Sequence, residues 1–296
     1  MLFLIIPHSF DLKKRESVIK NHLLKKYSIT LNSYENIEYN SFPTPNLEIQ
    51  NADVSIEANT LLMNVANLNI YPKLLSIFNY EDFDTNKIVL NKNNSSILVS
   101  DLKNFINYIY NLKNKLTFKN LNIKISNNNS SLINLKKIYF SNYGYNKNII
   151  RGVLFDKNFE ILLSNNYNKI NFKLLKTGLT ADINFKKIKN ELLKSGVFKS
   201  KFLSSKLKFD FAFDDKKLKI YNSYFRSKDL SFNNESKIIL NPFFSTISVI
   251  KLEEINIKLF KNIKINKILA SKKFIKKLNT KNKIYFKSKK FSKNLI

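Results

Sequence analysis

The two histidines and the adjacent acidic residues at 214–215 and 253–254 are side chains whose types suit acid–base chemistry. A histidine can act as a proton shuttle or metal ligand, and paired carboxylates can act as general acid and base. His8 and His22 do not lie near a second ligand in the sequence, so we interpret both as structural or solvated. Asp214-Asp215 and Glu253-Glu254 suit catalysis poorly, because strand neighbours point to opposite faces and the aspartates occupy a predicted turn.

Thiols, glycine loops and serine motifs give no catalytic site either. The chain has no cysteine, which excludes disulfides, thiolate catalysis and cysteine-based zinc sites. Gly144, Gly152, Gly178 and Gly196 stand singly, so they cannot build a phosphate-cradling loop, and no serine has the flanking glycines of a nucleophile elbow. The sequence therefore predicts a protein that is not an enzyme, with no catalytic residue, cofactor or metal ligand.

Positive charge dominates the composition, but its chemistry does not favour nucleic acid. The net charge is +29, and because only Arg15, Arg151 and Arg226 among the 51 basic residues are arginine, 48 are lysine, spread along the chain. Specific nucleic-acid recognition favours the bidentate guanidinium group and a basic surface on one face. Lysine here accompanies abundant asparagine and isoleucine, as adenine- and thymine-rich codons produce, and an anionic membrane surface is a further explanation. We expect no specific nucleic-acid partner.

Apolar residues alternate with polar ones through most of the chain, which predicts β-strands. Few helices separate the strands and clusters of Asn and Asp do, which favours antiparallel pairing over a parallel βαβ architecture. Because each strand has one apolar and one polar face, we predict an α+β protein, mainly antiparallel β, with a long curved, twisted sheet that forms an open groove. The candidate groove-lining residues are Leu121, Ile123 and Ile125; Leu207, Phe209, Phe211 and Phe213; and Ile255, Ile257 and Leu259.

A few helices complete the predicted fold. Helical spacing of apolar residues predicts an amphipathic helix from Asp11 to about Tyr27 and a second helix from Asp101 to about Lys113. A further helix is predicted near Lys186 to Lys194, ended by Gly196. Residues 267–278 predict a basic amphipathic helix, either on a membrane surface or as a cap on the sheet.

The amino terminus is apolar from Leu2 to Ile6 and then abruptly polar, which resembles the last turns of a longer hydrophobic segment. A transmembrane helix needs about 20 apolar residues, so we expect an anchor that begins upstream, with a short buried strand as the alternative. We therefore divide the chain into the remnant of an anchor or an apolar terminus at 1–10, a helix with strands and further helices at 11–115, and repeating antiparallel strands at 116–296. The last region ends without a closing feature, as a truncated chain would.

Segments of the first 90 or so residues resemble AsmA-like proteins of Gram-negative bacteria. Ile37–Val54, with the sequence IEYNSFPTPNLEIQNADV, is similar to the Pro-containing strand pair that follows the family's membrane anchor and short helix. Leu61–Phe78 resembles the next strand, which enters a short helix through Pro-Lys-Leu-Leu, and Phe83–Leu90 resembles the strand after it. A weaker likeness covers Leu207–Phe244.

The resemblance implies an inner-membrane protein with its bulk in the periplasm and a long curved β-groove. It implies a role in moving phospholipid toward the outer membrane or in outer-membrane assembly, with phospholipid acyl chains, the inner membrane and other envelope proteins as partners. Acyl chains that enter an apolar groove gain about 0.8 kcal/mol per CH₂ removed from water, and lysines at its rim can meet phosphate headgroups. Two other functions stay open: a basic nucleic-acid-binding module and a purely structural envelope scaffold.

Overall fold

The computed structural model of the protein describes residues 16–57, 61–73, 76, 83–98, 101–127, 130–164, 168–186, 194–214, 217–239, 245–255 and 290–291. The chain forms two compact units, Met1–Leu162 and Leu163–Ile296, which we call unit 1 and unit 2. Both contain open, mainly antiparallel sheets, and the described helices are short and lie in unit 1, so the predicted fold class is confirmed. The predicted boundary between residues 115 and 116 falls inside unit 1.

The described part of unit 1 starts with a helix and continues with strands that follow chain order across the sheet. The first two strands, β1 (Ile29–Ser33) and β2 (Asn36–Asn40), pair with opposite halves of the third, β3 (Asn46–Ile56), and each later strand pairs with the strand before it. The first helix ends at Tyr27 as predicted, and the second lies within the predicted range. The elements are α1 (Glu16–Tyr27), β1 (Ile29–Ser33), β2 (Asn36–Asn40), β3 (Asn46–Ile56), β4 (Leu61–Pro72), β5 (Thr85–Leu98), α2 (Leu102–Asn111), β6 (Leu116–Asn127), β7 (Ser130–Ser141), β8 (Ile149–Leu154) and β9 (Lys157–Leu163).

The β5–β6 pair is parallel and is an exception to the antiparallel arrangement that the sequence predicted. Ile88 lies level with Leu116, and Ile97 with Ile125. Parallel neighbours need a crossover that returns the chain to the starting end of the sheet, and α2 provides it. The sequence predicted this helix but not the parallel pairing, because apolar alternation along a strand does not reveal the direction of its neighbour.

A line of left-handed backbone conformations crosses the sheet of unit 1. Asn51 in β3, Lys92 in β5, Asn120 in β6 and Lys137 in β7 have φ angles of 47°, 53°, 51° and 52°. The register places Asn51 and Lys92 on either side of Ala66 in β4, and Lys92 beside Asn120. Positive φ interrupts the extended path of a strand. Because these positions align, neighbouring strands bend at the same level.

Contacts of α1 show that the bend brings distant parts of the strands together. The Tyr27 hydroxyl lies 2.8 Å from Thr85 Oγ1 at the start of β5, while Ser28 O accepts a hydrogen bond from Glu57 N at 3.1 Å. The register places Glu57 level with the far end of β5. A straight strand of this length would separate its two ends by about 43 Å. Since one tyrosine and its neighbour reach both places, the sheet of unit 1 is strongly curved.

The apolar face of this curved sheet and one side of α1 form a buried core. Ile19, Leu23 and Tyr27 are the buried apolar residues of α1. Each large apolar side chain that is fully buried contributes about 1.5–3 kcal/mol relative to exposure, so this core is the main source of stability in unit 1. Fully buried strand residues include Ile49, Leu68, Leu90 and Phe118, which are successive cross-strand neighbours, and Ile70, Ile88 and Leu116, which form a second such row.

Unit 2 is a meander in which each strand pairs with the next along the chain, and all of these pairs are antiparallel. The short β17 (Lys290–Phe291) pairs parallel with the end of the preceding strand. The described part of unit 2 contains no helix, so one layer of strands carries the fold there. Its other strands are β10 (Lys169–Leu174), β11 (Leu179–Lys186), β12 (Lys194–Phe202), β13 (Ser205–Phe213), β14 (Lys217–Arg226), β15 (Leu230–Ile239) and β16 (Ser245–Ile255).

Gly196 lies inside β12, where the sequence predicted the end of a helix. Lys186 is the last residue of β11 and Lys194 the first of β12, so the two predicted helix ends lie in strands. The predicted anchor remnant at 1–10 and basic helix at 267–278 lie outside the described residues. Neither α1 nor α2, the helices in the part of the chain that the structure describes, has the length and apolar composition needed to cross a membrane.

Candidate functional site

An apolar surface covers one side of the sheet of unit 2, and we call it the apolar face. Cross-strand partners share a side of a sheet, so the register identifies its members. Phe172 pairs with Ala181, Ile183 with Phe198, and Phe198 with Phe209. The apolar face comprises Ile170, Phe172 and Leu174; Leu179, Ala181, Ile183 and Phe185; Phe198; Leu207, Phe209, Phe211 and Phe213; Leu218, Ile220 and Phe225; Phe232 and Ile238; and Ile250 and Leu252.

The apolar face is only partly buried. Phe211, 7% exposed, is the one buried hydrophobic side chain in the described part of unit 2, and the other members of the face retain intermediate exposure. A closed protein core packs side chains densely on all sides. The apolar face instead has its own sheet on one side, and no helix among the described residues of unit 2 covers the other.

Aromatic contacts organise the centre of the apolar face. Phe198 and Phe209 stack with ring centroids 4.6 Å apart. Phe211 meets Phe185 edge-on at 5.7 Å and lies 6.4 Å from Phe209. Aromatic pairs of this kind contribute about 0.5–1.5 kcal/mol beyond the area that they bury. The rings therefore hold one another in place as a preformed apolar surface.

The opposite face of the same sheet is polar and carries both signs of charge. Asn222 Nδ2 donates a hydrogen bond of 3.0 Å to Asp210 Oδ2, and Arg226 forms an ion pair of 2.8 Å with Glu253. β13 thus has the two contrasting sides that its sequence predicted, with large apolar residues on one and polar residues on the other. Lysines on the polar face include Lys169, Lys173, Lys199, Lys201, Lys206, Lys208, Lys219 and Lys237.

The candidate groove residues of β6 lie in unit 1 and are more buried. Leu121 is a core residue at 1% exposure, Ile123 is also buried, and Ile125 is partly exposed. Ile123 contributes to a pocket of about 870 Å³ together with Val54 and Met63. Ligand pockets commonly have volumes of about 300–1,000 Å³. The pocket therefore has a size that suits a ligand, but most of its other lining residues are polar, among them Asn64, Asn94 and Asn122.

The sequence identified β13 but not the neighbouring strands that complete the apolar face. Ile255 is the last residue of β16, and Ile257 and Leu259 lie outside the described residues. β11 and β12 were missed as site strands, although Leu179, Ala181, Ile183 and Phe185 have the same period of two. Alternation alone was sufficient to find β11, whereas the single Phe198 of β12 becomes visible only through its pairing with Phe209.

The residues suited to acid–base chemistry are dispersed, and His22, Asp214 and Glu253 make structural contacts. His22 is buried between α1 and the sheet, and burial lowers its pKa. Glu253 pairs with Arg226 on the polar face of unit 2. His8 and Asp215 lie outside the described residues. No group of three or more potential metal-ligating side chains comes together in the described ranges.

Comparison with protein-family models, curated proteins and solved structures gives no match. The function must therefore be inferred from the surfaces of the protein. The largest contrast among them is between the partly exposed apolar face of unit 2 and the buried core of unit 1.

Proposed function

We propose that this protein binds phospholipid without catalysing a reaction and that acyl chains lie on the apolar face of unit 2. Partial exposure of that face carries the proposal, because it leaves side chains such as Ile183, Phe198 and Phe209 accessible. Contiguous exposed apolar surface marks a binding site in a soluble protein. Acyl chains that cover it remove apolar area from water on both partners, at about 25 cal/mol per Å².

Lysine at an end of the apolar face supports phospholipid as the ligand. Lys194 is the cross-strand partner of Phe213 and therefore shares its side of the sheet. A phospholipid whose acyl chains contact Phe213 and Phe209 brings its phosphate within reach of this ammonium group. Charge-assisted hydrogen bonds between ammonium and phosphate fix the headgroup, and the chemistry requires no cofactor or metal.

The resemblance of residues 1 to about 90 to AsmA-like proteins supports the cellular part of the proposal. We infer an inner-membrane protein whose bulk faces the periplasm and which carries phospholipid toward the outer membrane, together with other envelope proteins. The polar face of unit 2 favours this role over nucleic-acid binding, because Asp182, Asp210 and Glu253 interrupt its lysines. A nucleic-acid interface concentrates positive charge instead.

Two variants of β13 with the same change in charge test the proposal. Phe209→Asp places a carboxylate on the apolar face, and Ala212→Asp places one on the polar face. We expect native mass spectrometry to find phospholipid on the parent and on Ala212→Asp, both extracted from membranes. Phe209→Asp should retain the circular dichroism of the parent and lose the lipid, because a carboxylate does not tolerate contact with acyl chains.

Three outcomes would contradict lipid binding at this face. A parent protein free of lipid excludes the proposed cargo. A folded Phe209→Asp with the full lipid load places the lipid elsewhere. Unfolding of Phe209→Asp alone indicates that the face is the interior of a closed core or scaffold, since a buried charge destabilises such a core by several kcal/mol.

A further inference from the structure

Two neighbouring hairpin turns lie at one end of the strands of unit 2 and expose large apolar side chains. The turn between β10 and β11 contains Leu175 and Gly178, and the turn between β12 and β13 contains Leu203. The two turns lie at the same end of the strands because Leu179, which follows the first turn, pairs with Phe202, which precedes the second. Leu203 Cδ2 lies 3.5 Å from the position that a Cβ atom would occupy if Gly178 carried a side chain, so the turns are in contact. We call residues 175–178 and 201–204 the hairpin tip.

The hairpin tip is more exposed than the apolar face behind it. Leu175, Phe202 and Leu203 are 44%, 48% and 65% exposed, whereas the apolar strand residues behind them have lower, intermediate exposure. Single exposed apolar residues are common on proteins. Here three neighbouring exposed apolar side chains lie together at the end of the strands. They form a small apolar protrusion that a partner can contact.

Leu203 also has a backbone conformation that does not suit leucine. Its φ angle is 51°, in the left-handed region where glycine and asparagine are favoured because a larger side chain crowds the following carbonyl. Exposure and backbone strain at one residue both oppose folding. Phe155, in the turn between β8 and β9, combines a φ angle of 49° with 73% exposure as well, so what distinguishes Leu203 is its place among three neighbouring exposed apolar side chains.

Positive charge predominates next to this apolar protrusion, chiefly on the polar face, and the neighbouring turn between β14 and β15 adds Lys228 and Asp229. Residues 173–180 and 199–207 contain five lysines and no acidic residue. The nearest acid in these hairpins, Asp182, accepts a hydrogen bond from Asn171 on the polar face. Flexible lysines around a few apolar side chains are complementary to anionic headgroups above acyl chains.

We propose that the hairpin tip inserts into the surface of an anionic phospholipid bilayer. Leu175, Phe202 and Leu203 enter the boundary between headgroups and acyl chains, and Lys176 and Lys201 bind the phosphates. A protein partner would hold these few anchor residues in a matching groove, usually with fixed hydrogen bonds. A bilayer surface requires only that the tip protrudes. This membrane contact is separate from the binding of acyl chains to the apolar face and does not depend on it.

Tryptophan substitution tests the proposal at a single position, because the chain contains no tryptophan. In Leu203→Trp, vesicles of phosphatidylglycerol should shift the emission to the blue, and acyl chains brominated near the headgroup should quench it. Ile247→Trp is the control. Ile247 is 44% exposed, as Leu175 is, but it lies inside β16 on the polar face, where it pairs with Lys237. We expect neither response from this control.

Vesicle sedimentation of the full chain provides the second measurement. The double variant Leu175→Ser/Leu203→Ser, which changes residues of the two turns and none of the apolar face, should reduce partitioning to phosphatidylglycerol vesicles by about tenfold, while Ile247→Ser should leave it unchanged. Lipid carried by the protein in native mass spectrometry should be the same in both, which separates this inference from the proposed function. Absence of a blue shift in Leu203→Trp, equal responses at both tryptophans, or unchanged partitioning of the double variant would overturn the membrane contact. Binding of a protein partner through Leu203, without any fluorescence or sedimentation response to vesicles, would also overturn the membrane contact.

Discussion

The aromatic ring of Phe211 lies over Gly196, its cross-strand partner in β12. A Cβ atom on Gly196 would lie 2.7 Å from Phe211 Cζ and would overlap the carbonyl oxygen of Asn184. Gly152 and Phe159 form the same relationship between β8 and β9, with a closest approach of 2.8 Å. In each unit, the phenylalanine ring fills the space that the glycine leaves and covers the backbone beneath it.

This geometry predicts that Gly196→Ala destabilises unit 2. Alanine normally stabilises a strand relative to glycine, but here its methyl group would overlap Phe211 and the Asn184 carbonyl. We expect the free energy of unfolding to fall by about 1–3 kcal/mol, as in other overpacked sites. Urea denaturation followed by circular dichroism measures the change. Val197→Ala is a control that removes atoms from the next position of β12 without adding a clash, and a gain in stability for Gly196→Ala would contradict the packing described.

The left-handed backbone at the bend in unit 1 predicts that a residue with high strand propensity destabilises the protein at position 92. Valine is favoured in strands, yet Lys92→Val should destabilise the protein by about 1 kcal/mol, because a β-branched residue at a φ angle of 53° is more strained than the lysine that it replaces. Lys124→Val, on an exposed position of β6, is the matched control and should change stability by less than about 0.5 kcal/mol. Equal effects of the two variants in thermal denaturation would show that the bend does not depend on the left-handed residue.

The lowered pKa of His22 predicts that the free energy of unfolding decreases in mild acid. Its pKa is lowered in the folded protein, first by burial and also by Lys26, while Asp84 acts in the opposite direction. Because the unfolded chain binds the proton more readily, stability is complete above the usual histidine pKa of about 6.5 and decreases as the pH falls below it, by at most about 1.4 kcal/mol per pH unit. Denaturation between pH 7 and pH 5 measures this slope.

A His22→Gln variant should remove most of the slope in this pH range, although it also changes the contact with Thr85, 3.0 Å away. The pKa values of Glu16 and Asp84 are lowered as well, from 4.5 and 3.8, so the stability that they contribute is lost only at lower pH. An identical slope in the parent and the variant would show that His22 is not the group responsible.

Local patterns were sufficient to predict individual strands and helices. Alternation from Leu207 to Phe213 predicted β13, because a strand with one dry side needs a period of two. Helical spacing after Asp101 predicted α2 in the same way. Gly196 was misassigned because a glycine after a lysine-rich segment is typical of a helix end, and the ring of Phe211 that makes glycine necessary lies on another strand.

Relationships between strands were beyond the reach of the sequence. Lys92 and Asn120 have no local feature that marks a bend, and their alignment follows from a parallel pairing that alternation does not specify. The apolar face was predicted one strand at a time for the same reason. Its continuity from Phe172 to Phe209 depends on register, which is fixed by the complete set of neighbouring strands.

Photocrosslinking locates the lipid most directly and tests the central claim of phospholipid on the apolar face. The purified full chain would be loaded with a phospholipid that carries a diazirine in its acyl chain, irradiated, digested and analysed by mass spectrometry. We predict adducts on Phe172, Ile183, Phe198 or Phe209, and none on the lysines of the polar face. Adducts confined to the polar face or to unit 1, or a protein that acquires no adduct, would contradict the account.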